Sequence, residues 1–307
     1  MSRIFDALQR SGVEETGVEY PDLVSVVTEV LEPREKQPAK TARPEPASEA
    51  PNLSTLEETS ALREISGAEL AEFPTLTVSV PPSSRLVFMT EPDSLAAEKF
   101  RFLGVRLRQF QQSRSLKRVL ITSTIPEEGK SLVSANLAGV LARRKQKVLL
   151  IEGDLRRPSL AQQFGLGRLA GLGEWLQGDR KSLTNLYRLE GPGFWLMPAG
   201  DPPANPLELM QSGSLSQLMA QLTPLFDWIL VDSPPLLPLA DTTVWARVTE
   251  GTLLVAREGK TEKAMLQRGL ELVKKSELLG VVLNGTHANH KSYYQRYAPS
   301  TKERASS

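Results

Sequence analysis

The sequence contains no cysteine and only two histidines, His287 and His290. Without cysteine there are no disulfide bonds and no thiol catalysis, and two histidines alone do not supply the usual zinc ligand sets. No apolar run approaches the roughly 18 residues of a membrane-spanning helix, and the amino terminus lacks the apolar segment of a signal peptide. These absences predict a cytoplasmic protein with no membrane span of its own.

An excess of charge of either sign is also missing. The 307 residues include 37 Lys and Arg against 36 Asp and Glu, a formal net charge of +1. No overall field attracts the chain to nucleic acid or to an anionic membrane, and we expect no nucleic-acid partner. With 40% hydrophobic residues, the chain is long enough for one sizeable α/β core and additional segments.

Large apolar residues are scarce in the segment 32–51, where Pro, Glu, Ala and Lys dominate. Such a composition predicts a linker. Residues 3–12 have the apolar spacing of a short amphipathic helix, which would act as a tethered docking helix, or they form a frayed tail. No structure is assigned to 53–82. We therefore expect residues 1–85 to form a largely disordered extension that precedes a domain at 86–290.

Within this domain, a first helix is predicted to begin at Asp93 or Ser94. Unbroken apolar strands then alternate with helical patterns. The predicted strands are 118–123, 147–152, 194–199, 227–232, 251–256 and 279–284, and the predicted helices are 130–144, 207–222 and 262–276. This alternation predicts a mostly parallel sheet with helices on both faces, a doubly wound α/β fold. Its ligand site is expected at the carboxyl ends of the strands.

The strongest functional motif follows the first of these strands, where VLITSTIPEEGKS ends in Gly129, Lys130 and Ser131. A loop between strand and helix directs backbone N–H groups at phosphates, the lysine neutralises phosphate oxygens, and the hydroxyl binds Mg²⁺. Thr124 stands where the standard motif has its first glycine. The position after a buried strand nevertheless favours a P-loop NTPase fold. The other loop residues expected to contact nucleotide are Pro126, Glu127, Glu128 and Leu132.

Acidic residues follow two further strands. Glu152 and Asp154 alternate at the end of the second strand, so their side chains are expected on the same side of the sheet, holding a metal-bound water and acting as a base. Arg156 and Arg157 come next and would meet phosphate or a neighbouring subunit, or form a solvated charged loop. Asp232 ends the third strand as an expected partner of Mg²⁺, although strand-ending turns commonly carry Asp.

At these motifs the sequence resembles the bacterial tyrosine kinases of capsule and exopolysaccharide synthesis, of the cytoplasmic-domain type related to MinD/ParA deviant P-loop ATPases. The resembling segments are TSTIPEEGKSLVSANLA, VLLIEGDLRRP and FDWILVDSPP, and the likeness covers about residues 86–297. It implies ATP and Mg²⁺ as cofactors. It also implies catalytic roles for Lys130, Glu152, Asp154 and Asp232, a metal site of Ser131, Asp154 and Asp232, and a position near the adenine for Asn284.

The sequence departs from the family pattern at two positions. Glu152 replaces the usual Asp, which suggests the hypothesis that catalysis is weakened. The segment EPDSLAAEKFR resembles the family's oligomerisation segment, with Glu98 and Arg101 at the family spacing, whereas Gly104 replaces a second Arg. The resemblance therefore implies a homo-oligomer and leaves ring assembly open.

The carboxyl-terminal tail, 291–307, contains three of the five tyrosines of the chain, Tyr293, Tyr294 and Tyr297. The resemblance implies that they are autophosphorylation sites. Alternatively, the ring cluster packs on the domain or on a partner, or the basic residues of the tail contact phosphate or membrane. The resemblance also implies a membrane activator of the chain-length-regulator type, which would recruit the protein to the inner face of the membrane.

The sequence thus predicts an ATP-dependent protein-tyrosine autokinase that regulates exopolysaccharide or capsule polymerisation and export. A second reading is a MinD/ParA-like ATPase switch that transfers phosphate only to water. The tail tyrosines, and a loop in which Lys130 is the only lysine, count against this switch. A third reading is a nucleotide-binding scaffold with weakened catalysis, motivated by Glu152.

Overall fold

A computed structural model describes residues 26–27, 73–81, 84–178, 183–237, 240–275 and 277–286. The predicted helix at 3–12, the linker at 32–51 and the tail at 291–307, including its three tyrosines, lie outside these residues.

The described strands form one sheet of nine strands in the order β1-β9-β8-β3-β7-β4-β6-β5-β2. Their bounds are β1 Val26–Val27, β2 Thr75–Thr77, β3 Arg118–Ser123, β4 Val148–Glu152, β5 Tyr187–Glu190, β6 Trp195–Met197, β7 Trp228–Asp232, β8 Gly251–Arg257 and β9 Leu278–Asn284. The run from β9 to β6 is parallel. Antiparallel pairs join β5 to β6 and β1 to β9, while β2 runs parallel to β5. The prediction of a mostly parallel sheet is confirmed.

Helices connect these strands. They are α1 Val87–Thr90, α2 Leu95–Ser113, α3 Lys130–Ala142, α4 Leu160–Gln163, α5 Leu172–Gln177, α6 Pro206–Leu209, α7 Leu215–Leu222, α8 Asp241–Ala246 and α9 Lys263–Leu272. Helix α2 begins as predicted, because the Ser94 hydroxyl accepts a hydrogen bond from the Ala97 N–H at 3.2 Å. In the described part of the chain, no helix combines the length and apolar character needed to cross a membrane.

Both faces of the sheet are covered, and successive residues of the central strands show this directly. Val119 and Ile121 of β3 pack in a core with residues of α2 and α3. Leu120, between them, packs on the opposite face with residues of α5, α7 and α8. Such strands read as continuous apolar runs, since neither face meets water. The doubly wound arrangement is therefore confirmed.

Several elements differ from the sequence prediction. The structure contains strands Val26–Val27, Thr75–Thr77 and Tyr187–Glu190, which had no predicted counterparts, so the sheet includes residues before position 86. The predicted helix 207–222 is interrupted by a π-helical segment, Met210–Ser214. Gly213 in that segment has φ +83°, a left-handed conformation that a regular helix does not contain and that glycine adopts readily.

Gly104, at the expected position of a second arginine in the oligomerisation segment, is buried in α2. A Cβ atom added there would lie 3.2 Å from Val140 Cγ1 of α3, so the glycine allows the two helices to pack closely. Glu98 and Arg101 form an ion pair with each other, and Arg101 Nη2 also donates to the Pro92 carbonyl at 2.5 Å. An arginine at position 104 would therefore disturb the core of this fold.

Candidate active site

The register of the sheet brings three strand ends together. Asp232 at the end of β7 pairs with Ile121 of β3 on one side and with Glu152 of β4 on the other. A cavity of about 530 Å³ lies at this edge. Its lining residues are Pro126, Glu127, Gly129, Lys130, Ser131, Leu132, Asp154, Arg156, Arg157, Ser159, Gln163 and Pro235. Seven of the residues expected to contact nucleotide or metal therefore line the cavity, together with Arg156 and Arg157, at the strand ends of the α/β sheet.

The phosphate loop takes its shape from a close approach to β9. Gly129 has φ +93° and precedes the first residue of α3, Lys130. A Cβ atom at position 129 would lie 2.0 Å from Asn284 Nδ2, and this amide donates to the Glu128 carbonyl at 2.9 Å. Only glycine fits both the backbone conformation and the contact. Asn284, expected near an adenine, here holds the phosphate loop.

The side chain of Glu128 points into the loop and does not line the cavity. It is fully buried, accepts a hydrogen bond from the Ile125 N–H at 2.8 Å, and accepts another from the Thr261 hydroxyl. Burial raises the pKa of this carboxyl, and these hydrogen bonds oppose the rise. The Glu128 carboxylate therefore stabilises the turn that forms the loop, which leaves its backbone as the part of Glu128 that would contact nucleotide.

Thr124, which replaces the first glycine of the standard motif, is fully buried against α9. A Cβ atom added to Gly269 of α9 would lie 2.7 Å from the Thr124 hydroxyl oxygen. The missing glycine of the loop is therefore matched by a glycine on the helix that packs against it.

Lys130 and Asp154 form an ion pair at the cavity wall. Lys130 Nζ lies 3.2 Å from Asp154 Oδ2, with side-chain exposures of 14% and 6%. The other carboxylate oxygen of Asp154 accepts a hydrogen bond from the Arg157 N–H at 3.0 Å. Asp154 therefore fixes both the lysine of the phosphate loop and the loop that follows β4.

Asp232 lies behind this pair, fully buried. Ser134 Oγ donates to its carboxylate at 3.3 Å, and the hydroxyl of Ser131 donates as well. Burial raises the pKa of Asp232 to about 7, against the opposing effects of Lys130 and Ser131. A hydroxyl and carboxylates next to a phosphate-binding loop are the oxygen donors that Mg²⁺ takes. Ser131, Asp232 and Asp154 therefore fit a magnesium site completed by phosphate oxygens.

Glu152, expected to act in catalysis, is bound by backbone groups of neighbouring loops. Its carboxylate accepts hydrogen bonds from the backbone N–H groups of Ser159, Leu160 at 2.5 Å and Ala199 at 3.0 Å, and it does not line the cavity of the phosphate loop. Burial raises the pKa of this carboxyl despite these donors. The longer side chain reaches the first turn of α4, so Glu152 holds loops together and its oxygens are already occupied.

The two arginines after Asp154 have different surroundings. Arg156 forms a bidentate pair with Asp241 of α8, with Nε to Oδ2 at 2.7 Å and Nη2 to Oδ1 at 3.2 Å. Hydrogen bonding to Asp241 raises the pKa of Arg156. Arg157 is exposed at the cavity and forms no ion pair with any residue that the structure describes. The sequence alone did not show that Arg156 and Arg157 have different surroundings.

Some contributors to the site were missed by sequence reasoning, namely Ser134, Thr261, Gly269 and Asp241. Thr261, Gly269 and Asp241 contact residues distant in the chain. Ser134 lies on the turn of α3 that faces β7. No local motif marks them, because their types are common in ordinary helices and turns.

This fold and site define a P-loop nucleotide-binding protein of the doubly wound α/β class. No family model matches the chain. Tyrosine-protein kinase YwqD of Bacillus subtilis is 35% identical over 214 residues, 69% of this chain and 90% of that protein. Tyrosine-protein kinase ptk of Acinetobacter johnsonii is 34% identical over 63% of this chain. The matched region spans about a quarter of that relative's length, 26%.

Among solved structures, the kinase domain of the Escherichia coli tyrosine kinase ETK matches with a TM-score of 0.64 at 26% identity, covering 75% of this chain and 96% of that one. The chain belongs to the bacterial tyrosine-protein kinase family. It is accordingly a protein-tyrosine kinase, and the family resemblance found in its motifs is confirmed.

Proposed function

We propose that this kinase transfers the γ-phosphoryl group of ATP, with Mg²⁺, to tyrosines of its own tail, Tyr293, Tyr294 and Tyr297. The observation that carries the proposal is the cluster of Lys130, Asp154 and Asp232 beside the cavity at the ends of β3, β4 and β7. Phosphoryl transfer depends mainly on positioning and charge neutralisation, which these groups supply.

In this proposal the Lys130 ammonium binds phosphate oxygens, which compete with Asp154 for it. Ser131, Asp154 and Asp232 would hold Mg²⁺, which when bound would supply positive charge that offsets the phosphates, and Asp154, released from Lys130, positions the tyrosine. The tyrosine oxygen forms a bond to the γ-phosphorus while the bond from that phosphorus to its bridging oxygen breaks. The electron pair leaves with ADP, and the phenolic proton passes to Asp154.

The biological role that we infer is regulation of exopolysaccharide or capsule polymerisation and export through cycles of assembly and phosphorylation. The inference draws on the family motifs, on the match to named bacterial tyrosine kinases, and on the tyrosine-rich tail. A cytoplasmic homo-oligomer, recruited to the inner face of the membrane by a chain-length-regulator-type activator, fits this role.

The test is peptide-level mass spectrometry of the purified full chain after incubation with ATP and Mg²⁺, with and without the cytoplasmic segment of a candidate membrane activator. We expect phosphate on the 291–307 peptide in the wild type and none in Lys130→Met. Lys274→Met, which removes an exposed lysine paired with Glu277, should label like the wild type. ATP hydrolysis without tyrosine phosphate under either condition would favour the ATPase switch instead.

A further inference from the structure

The cavity at the phosphate loop is lined by three cationic side chains, and two of them are already paired. Lys130 lies 3.2 Å from a carboxylate oxygen of Asp154. Arg156 is held in two-point contact by Asp241, whose side chain is 2% exposed. Arg157 lines the same cavity without an ion pair among the described residues. Among the described residues, no carboxylate therefore uses the hydrogen-bonding capacity of the Arg157 guanidinium in this cavity.

The backbone of Arg157 is fixed although its side chain is exposed. Its N–H donates to Asp154 Oδ1 at 3.0 Å, and the next residue, Pro158, restricts the backbone further. Asp154 thus connects Arg157 to Lys130 through its two carboxylate oxygens. The Asp154 side chain therefore fixes the separation between the Lys130 ammonium and the start of the Arg157 side chain.

Glu127, like Asp154, is an acidic residue that lines the cavity. Its carboxylate is bonded to Lys260 Nζ at 2.6 Å, outside the group of residues that line the cavity. The bond to Lys260 is the main cause that lowers the pKa of Glu127, and the positive charge of Arg157 adds to the effect. The positive charge of Arg157 therefore acts on the phosphate loop, while the Glu127 carboxylate is bound by Lys260.

We propose that Arg157 binds the oxygens of the transferring phosphoryl group and stabilises the charge that spreads over them in the transition state. This inference rests on the proposed phosphoryl transfer. A guanidinium presents a planar set of donors that matches phosphate geometry, and it stays charged at any physiological pH. The bonds that form and break are those given above, and Arg157 itself neither gains nor loses a proton.

The same geometry separates the roles of the two neighbouring arginines. Arg156 positions the loop through buried Asp241, whereas Arg157 meets the reacting group. Arg157→Ala is therefore expected to leave the fold intact, because it removes an exposed side chain that pairs with no carboxylate in the described part of the chain. A variant of Arg156 would instead leave a buried carboxylate without its partner.

The experiment compares the full-length wild type with Arg157→Ala and Arg157→Lys, and with Arg247→Ala, which removes an exposed arginine outside the cavity. We expect kcat of Arg157→Ala to fall about 100-fold, as for loss of a single preorganised donor to transition-state charge. ADP affinity, measured by calorimetry, should change less than about twofold, whereas affinity for ADP with aluminium fluoride should fall by about the same factor as kcat. Arg157→Lys should recover part of the rate.

A fall in kcat of less than about threefold, or equal losses in affinity for ADP and for ADP with aluminium fluoride, would overturn this role. A decrease in unfolding midpoint that accounts for the lost rate would also overturn it. If the wild type hydrolyses ATP without labelling tyrosine, the proposed tyrosine transfer fails. The Arg157 comparison is then read on the hydrolysis rate, since both reactions transfer the same phosphoryl group.

Discussion

Two pairs of carboxylates lie at the same edge of the sheet, and their surroundings differ. Glu128 and Glu152 accept hydrogen bonds mainly from backbone N–H groups and hold loops in place. Asp154 and Asp232 instead contact Lys130 and Ser131, which line the cavity. The longer glutamates reach past the strand ends to neighbouring turns, whereas the shorter aspartates stay beside the phosphate loop. An acidic residue at a strand end is thus identified as structural or functional by its partners.

The largest expected effect comes from Asp154→Asn, in the aspartate pair. We expect kcat to fall roughly 100- to 1000-fold, because the variant loses the partner of Lys130 and the proposed proton acceptor. The unfolding midpoint should change little, since the amide still accepts a hydrogen bond from the Arg157 N–H. Steady-state kinetics measures the loss of kcat, and thermal unfolding checks that the unfolding midpoint is retained. A rate within about threefold of the wild type would remove Asp154 from the catalytic group.

The opposite result is expected for Glu152→Gln, in the glutamate pair. The amide nitrogen would face a backbone N–H group, which leaves a buried donor unsatisfied and lowers the free energy of unfolding by about 2 kcal/mol. The rate per folded molecule should change only slightly. Urea unfolding and kinetics measure both quantities. Glu152→Asp provides the sharper comparison, because a large gain in rate would support the hypothesis that Glu152 weakens catalysis.

Asp232 predicts a dependence on pH. Burial raises its pKa in the folded protein from 3.8 to about 7, so the neutral carboxyl is favoured by folding. Its contribution to the free energy of unfolding is complete below about pH 4 and is lost as the pH rises to about 7. Without nucleotide and Mg²⁺, the wild type should therefore lose stability relative to Asp232→Asn between pH 5 and 7, by about 1 kcal/mol or more. A constant difference would contradict this.

The smallest effect is expected for Thr261→Val, which removes a hydrogen-bond donor to Glu128. Its hydroxyl also accepts from the Arg257 N–H at 2.7 Å, so the loop loses two contacts. We expect the free energy of unfolding to fall by about 1 kcal/mol. ADP affinity should fall a few-fold, because the phosphate loop is less ordered. Thr243→Val, at an exposed position, is the matched control for calorimetry and urea unfolding. Equal behaviour of the two variants would show that the hydroxyl does not stabilise the loop.

Local pattern was sufficient for much of the fold. The strands 118–123 and 251–256 were predicted to within a residue, because both faces of these strands are buried and the apolar run is unbroken. Strands Val26–Val27, Thr75–Thr77 and Tyr187–Glu190 were missed, since they are short and lie towards the two ends of the sheet. The interruption at Gly213 was missed because its neighbours keep a helical spacing.

The site shows the same limit. Gly129, Lys130 and Ser131 were placed at the cavity from their position between a strand and a helix. The direction of the Glu152 side chain was not predictable, because it depends on backbone groups at Leu160 and Ala199 that approach only in the folded chain. Distance in the sequence, rather than the type of residue, accounts for what was missed.

The contact of Thr124 with Gly269 has an evolutionary consequence. The two positions share one small volume, so substitutions at them are not independent. A relative with a glycine in the phosphate loop is free to carry alanine or a larger residue on the facing helix, which favours helix formation by about 1 kcal/mol. A relative with threonine in the loop must retain glycine there. Aligned family sequences should therefore show covariation between these positions, 145 residues apart in this chain.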